Sequence, residues 1–73
     1  MLTKKFIVDF IGAGLNYERI HREINKQPAM NEEETRNYVK MELIDMLDRH
    51  DIEINNMDLF EERVTEIISA IAG

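Results

Sequence analysis

The sequence predicts an all-α fold, a small bundle of three helices joined by short loops, on three observations. Apolar residues recur at intervals of three and four, the spacing that lays side chains along one face of a helix. Alternation of apolar and polar residues, which would indicate strands, is nearly absent. The 73 residues, 44% of them hydrophobic, suffice for one small core, so we expect a single domain over residues 1–73. If the first helix breaks near Gly14, the bundle has four helices.

The last helix is predicted over residues 57–72. Asn56 or Asp58 suits its N-cap, and acidic residues follow in the first turn, where the helix dipole favours them. Its core-facing stripe is expected to contain Met57, Phe60, Val64, Ile67 and Ile71.

The preceding helix is predicted to begin after Asn31 and to end near His50. Pro28 disfavours a helical conformation at Gln27, and Asn31 is a good N-cap residue. Its inner face is expected to contain Val39, Leu43, Met46 and Leu47. In the link that follows, Ile52 and Ile54 are two residues apart, which in an extended segment points both into the core.

Three further apolar residues of this helix, Tyr38, Met41 and Ile44, lie outside its inner stripe. They indicate contact with a second neighbour, either the N-terminal segment of the same chain or a separate chain. We therefore take these three residues as a candidate partner or self-interface, where a methionine adapts well to an imperfect fit.

The N-terminal third contains an apolar stripe with a heptad-like spacing, and also two helix-disfavouring glycines. Gly12 and Gly14 each cost roughly 1 kcal/mol in a helix interior, and Asn16 is a plausible new N-cap. We expect a break or kink near Gly14, with both pieces packing on the same neighbours through the stripe. The stripe consists of Phe6, Phe10, Ala13, Tyr17, Ile20 and Ile24.

Charge is distributed unevenly along the chain, which has a net charge of −6. Residues 1–29 carry five basic and three acidic groups, whereas residues 30–73 carry four basic and twelve acidic groups. This balance disfavours nonspecific binding to phosphate backbones and favours a basic protein partner. The candidate acidic face consists of Glu32, Glu33, Glu34, Glu42, Asp45 and Asp48.

The sequence also predicts a cytoplasmic protein that does not enter a membrane. It contains no cysteine and no apolar run of the roughly 18 residues that a membrane span needs. Lys4 and Lys5 precede an apolar stretch, as in a signal peptide, but Asp9 interrupts that stretch.

One alternative is a DNA-binding regulator of helix-turn-helix type that uses residues 14–27. Gly14 would supply the bend and Asn16 the cap, and a basic face is formed by Arg19, Arg22 and Lys26. The helix that would enter the groove, however, begins with Glu32, Glu33 and Glu34, at the end that meets base edges in such motifs. Nucleic-acid binding is therefore the disfavoured alternative.

A second alternative is an acyl-carrier-like bundle. The run MELIDMLDRHDIEI, Met41 to Ile54, resembles the end of the second helix of acyl carrier proteins and the link that follows, and FIGAGL, Phe10 to Leu15, resembles the end of their first helix. The resemblance implies an acidic four-helix bundle with a serine that carries phosphopantetheine. The corresponding position, near Thr35 to Asn37, has no serine, so carrier chemistry would be missing.

Metal and catalytic signals are weak. The segment Asp51 to Glu62 is similar to a calcium-binding loop, but Asn56 stands where that loop requires glycine. Neither His21 nor His50 has the helical partner of a zinc site, and Ser69 lies in no nucleophile elbow. So small a core is not expected to leave a cleft of ligand size.

The sequence therefore predicts a protein that is not an enzyme and holds no metal or cofactor. Its expected role is that of a non-catalytic protein–protein interaction module, a small acidic regulatory or accessory protein that can act as a homodimer.

Overall fold

The computed structural model describes residues 2–73, and this part of the chain forms three α-helices without strands. The helices are α1 (Lys4–Ile24), α2 (Glu32–Arg49) and α3 (Met57–Ala72). They form a bundle with dimensions of 39 × 23 × 22 Å. The predicted all-α class and the three-helix architecture are confirmed.

Contacts between side chains establish the relative directions of the helices. Arg22 near the end of α1 lies 3.6 Å from Glu34 at the start of α2, and Gly14 earlier in α1 faces Tyr38 later in α2, so these two consecutive helices run antiparallel. Lys4 at the start of α1 lies 3.9 Å from Glu66, and a β-carbon at Gly12 would contact Ile71, so α1 and α3 run in the same direction. The chain thus follows an up-down-up course.

Each helix begins at a side-chain cap. Thr3 accepts a hydrogen bond from the backbone N–H of Phe6, and Asn56 accepts one from the N–H of Leu59. Asn31 caps α2 in a reciprocal capping box, in which Glu34 accepts from the backbone N–H of Asn31. The expected caps at Asn31 and Asn56 are confirmed.

The ends of α1 and α2 share a motif whose usual sequence signal, a glycine, is missing. Lys26 and Asp51 have φ values of 54° and 55°, in the left-handed region that favours glycine. After α1, the N–H of Gln27 donates to the carbonyl of Arg22, and after α2 that of Ile52 donates to Leu47. These are Schellman endings with non-glycine residues at the left-handed position.

α1 is one continuous helix, so the expected break near Gly14 is wrong. Neither Gly12 nor Gly14 has a positive φ, and both face neighbouring helices. Asn16 is not a cap; its side-chain oxygen accepts a hydrogen bond from Arg19 within the helix. Tertiary packing on two neighbours outweighs the low helix propensity of two glycines.

The core is formed mainly by the predicted faces of α2 and α3. Met57, however, is 59% exposed at the start of α3, and Ile52 is 46% exposed. Ile52 does not point inward with Ile54; its backbone N–H donates to the carbonyl of Leu47 and so belongs to the ending of α2. The buried residues are Ile11, Val39, Leu43, Met46, Phe60, Val64 and Ile67.

α1 contributes to this core with the face that we did not expect. Ile11 is fully buried, and Ile7 and Leu15 pack partly buried against the same cluster. The heptad-like stripe lies on the opposite, outer side. The inner face contains both glycines, which let α2 and α3 approach α1 more closely than a row of aromatic side chains would allow.

Candidate functional site: an interaction surface on α1

The outer side of α1 presents a row of large apolar side chains to solvent. Exposed fractions are 50% for Phe6, 49% for Phe10, 72% for Tyr17, 42% for Ile20 and 74% for Ile24. Together with the exposed Ala13 these residues form what we call the outer stripe.

The outer stripe is long, narrow and continuous. At about 100° and 1.5 Å per residue, its members fall within roughly 80° of the helix circumference and span about 27 Å. The five large side chains leave on the order of 600 Å² of apolar surface in contact with water, given the usual size of aromatic and branched side chains. A patch of that size on a small protein is typical of an interaction site.

Ring contacts order part of this surface. The rings of Phe6 and Phe10 stack with centroids 6.1 Å apart and an interplanar angle of 22°. Tyr17 stacks on the ring of His21, which flanks the stripe, with centroids 6.5 Å apart. Because these rings already contact one another, less side-chain freedom is lost when a partner covers them.

One flank of the outer stripe contains two ion pairs. Lys5 Nζ lies 2.8 Å from Asp9, and Arg19 lies 3.6 Å from Glu23. The hydrogen bond that Lys5 donates to the Asp9 carboxylate raises the pKa of Lys5 above its ordinary value. These exposed pairs contribute little to stability, but they give the flank equal numbers of positive and negative charges.

The structure separates the three residues that we predicted as an interface on α2. Tyr38 packs against α1, where its hydroxyl group meets Gly14, and burial raises its pKa. Met41 and Ile44 are 67% and 40% exposed. The expected second neighbour is thus α1 for Tyr38, while the other two residues remain on the surface.

The six predicted acidic residues do not share one face of α2. Glu32, Glu33 and Glu34 are consecutive, so at about 100° per residue they are distributed around the first turn. Glu42 is half-buried, while Asp45 pairs with Arg49 at 3.1 Å and Asp48 is exposed. Much of this charge serves the helix start and local ion pairs.

The three predicted basic residues likewise do not form an open face. Arg22, only 23% exposed in its side chain, contacts Glu18 and Glu34 and donates to the backbone carbonyl of Pro28. It therefore fastens the α1–α2 turn. Lys26 lies beyond the end of α1 in that turn, and Arg19 pairs with Glu23.

A cleft of about 450 Å³ lies between the start of α1, the end of α2 and the start of α3, contrary to our expectation that no cleft of ligand size exists. Its walls are mostly apolar. Its mouth has two cations, Lys4 and Arg63, and two carboxylates, Glu53 and Glu66. Because the two positive and two negative charges balance, the rim favours neither an anionic nor a cationic ligand.

A cluster of polar side chains, which we call the clamp, links α2 and α3. None of the sites predicted from the sequence contains it. Arg36 and Lys40 each lie 2.6 Å from a carboxylate oxygen of Glu61, and both lower its pKa. Arg36 also donates to the hydroxyl of Thr65. Since the partners are more than twenty residues apart in sequence, no local pattern reveals the clamp.

Neither a metal-binding cluster nor a membrane-spanning helix occurs within residues 2–73. No group of three or more histidine, aspartate or glutamate side chains gathers there closely enough to hold a metal ion. In the same residues, no helix combines the length and apolar character that a membrane crossing requires.

Comparison of the chain with protein-family models, with curated proteins and with solved structures finds no significant match.

Proposed function

We propose that this protein is a non-catalytic protein–protein interaction module that self-associates through the outer stripe of α1. The observation that supports the proposal is the outer stripe itself: an uninterrupted apolar row of 3-4 spacing, exposed along most of a 21-residue helix. In coiled coils this spacing forms the seam through which a helix packs on another helix.

The size of the stripe is compatible with a homodimer. Two copies facing each other would remove on the order of 1,200 Å² of apolar surface from water, near the lower end of stable interfaces. Burial of that surface would also supplement a core that, within residues 2–73, contains seven buried residues.

The charges favour α1 as the approach surface for a second copy. α1 contains four basic and three acidic side chains, whereas α2 contains three basic and six acidic, and α3 one basic and four acidic. Two like copies therefore repel each other least when they meet through α1. A lipid surface is a poorer occupant, because Asp9 and Glu23 balance Lys5 and Arg19 beside the stripe, where a membrane-binding helix has an excess of lysines and arginines.

DNA binding through a helix-turn-helix of residues 14–27 is the less favoured alternative, because Gly14 lies within an unbroken helix and Arg22 forms an ion pair with Glu18. The four helices that an acyl-carrier-like protein would have are likewise not what residues 2–73 form.

Sedimentation equilibrium at micromolar concentration tests the proposal. The wild type is expected to have twice the chain mass of 8.6 kDa, and Tyr17→Glu is expected to have the mass of one chain. Met41→Glu is the matched control, because Met41 is almost as exposed as Tyr17 but lies on α2, and this variant should stay dimeric.

Other outcomes are equally informative. A dimer that is lost in Met41→Glu and kept in Tyr17→Glu would move the interface to α2. A wild type that is monomeric at every accessible concentration would end the proposal.

A further inference from the structure

We infer that the second copy docks with its α1 antiparallel to the first, in a register that places Ala13 against the partner's Tyr17. This inference rests on the proposed self-association and adds to it the direction and register of the two helices.

The order of large and small residues along the outer stripe indicates that the two α1 helices pair in the antiparallel direction. Antiparallel pairing about the middle of the stripe sets Phe6 against the partner's Ile24, Phe10 against the partner's Ile20, and Ala13 against the partner's Tyr17. The smallest member thereby faces one of the largest, which fills the seam evenly.

Parallel pairing would match each residue with itself. Ala13 would face the partner's Ala13 across a gap, while one turn further on Tyr17 would compete with the partner's Tyr17 for space. A gap beside an overfilled layer is unfavourable on both counts.

The charged flank agrees with the antiparallel direction. In that register the Lys5–Asp9 pair of one copy lies beside Arg19 and Glu23 of the partner subunit. Each of the four charges then has an opposite charge on the other helix within about two residues of the same height. Such rim charges serve mainly to select orientation. Antiparallel helices also oppose their macrodipoles, which adds to the preference.

Cysteine cross-linking tests the direction cleanly, because the native chain contains no cysteine. The antiparallel register separates Phe6 from the partner's Phe6 by about 27 Å, at 1.5 Å per residue, and brings it beside the partner's Ile24. An equimolar mixture of Phe6→Cys and Ile24→Cys is therefore expected to yield a mixed disulfide dimer, while neither variant should cross-link with itself. Ser69→Cys, at an exposed position on α3, measures linkage by random collision.

Each failure has a distinct meaning when the mass of the wild type is measured in parallel. Self-linkage of Phe6→Cys would show parallel pairing and overturn this inference while leaving self-association intact. A dimeric wild type without linkage above the Ser69→Cys level would place the interface elsewhere and overturn the register and the role of the outer stripe together. A monomeric wild type would overturn both this inference and the proposed function.

Discussion

The hydroxyl group of Tyr38 occupies the space where a β-carbon at residue 14 would stand. This contact explains why a glycine lies in the middle of α1, because a β-carbon there would overlap the hydroxyl oxygen of Tyr38 on α2. A β-carbon at Gly12, by comparison, would meet Ile71 at 3.6 Å, an ordinary van der Waals distance. The two glycines therefore have different roles, although their sequence contexts look alike.

We expect Gly12→Ala and Gly14→Ala to change stability in opposite directions. Gly12→Ala should raise the free energy of unfolding by about 0.5–1 kcal/mol, because alanine favours the helix and the site has room. Gly14→Ala should lower it by about 1 kcal/mol, since overlap with Tyr38 outweighs the gain in helix propensity. Urea denaturation measures both. If the contact is responsible, Gly14→Ala should become stabilising when it is introduced into Tyr38→Phe.

Adjacent residues on α1 should differ sharply in their contribution to the core. Ile11→Ala removes a fully buried side chain and should lower the free energy of unfolding by about 2–5 kcal/mol. Phe10→Ala removes a larger side chain that is half exposed, and we expect a loss below about 1 kcal/mol in the monomer. Thermal unfolding at low protein concentration makes the comparison, because dimer formation would add stability to the wild type. Equal losses would contradict the observed orientation of α1.

A stabilising substitution is available at the end of α1, where one residue lies in the left-handed region of backbone conformation. Lys26 adopts a φ of 54°, a conformation that is costly for a residue with a β-carbon and free for glycine. Lys26→Gly should raise the free energy of unfolding by about 1 kcal/mol. Gln27→Gly, at the next position, is the control and should not stabilise, because only residue 26 is in the left-handed region. The melting temperatures of the two variants decide the question.

The clamp around Glu61 should make stability depend on pH in acid. Hydrogen bonds from Lys40 and Arg36 lower the pKa of Glu61 in the folded protein below its ordinary value of 4.5. The ionised carboxylate therefore stabilises the folded state above that value, and this contribution is lost as the pH falls through the depressed folded pKa. Glu61→Gln should be less stable than the wild type at neutral pH, and the gap should close below pH 4.5.

Glu62→Gln is the control for this prediction. Glu62 is exposed and takes part in none of the ion pairs found within residues 2–73. Its substitution should open no such gap, as unfolding curves at a series of pH values would show. A gap in Glu61→Gln that persists undiminished in acid would mean that the clamp does not act through the charge of Glu61.

Helix content and helix starts follow from the sequence because their causes are local. The 3-4 spacing of apolar residues and the N-caps at Asn31 and Asn56 act within one or two turns. The inner face of α2 was predictable for the same reason: Val39, Leu43 and Met46 recur at intervals of four and three residues. The helix ends at Lys26 and Asp51 were harder to see, because the glycine that usually signals them is missing.

By itself, then, the sequence determined which regions of residues 2–73 are helical and where α2 and α3 present their apolar sides, but not that α1 is unbroken at Gly14. Only the tertiary structure decided which of the two apolar faces of α1 turns inward. Local periodicity favoured the longer stripe from Phe6 to Ile24, but the choice depends on how closely α2 and α3 can approach. The glycines allow that approach on the Ile11 side, so the aromatic stripe remains in water, where we propose a second copy of the chain covers it.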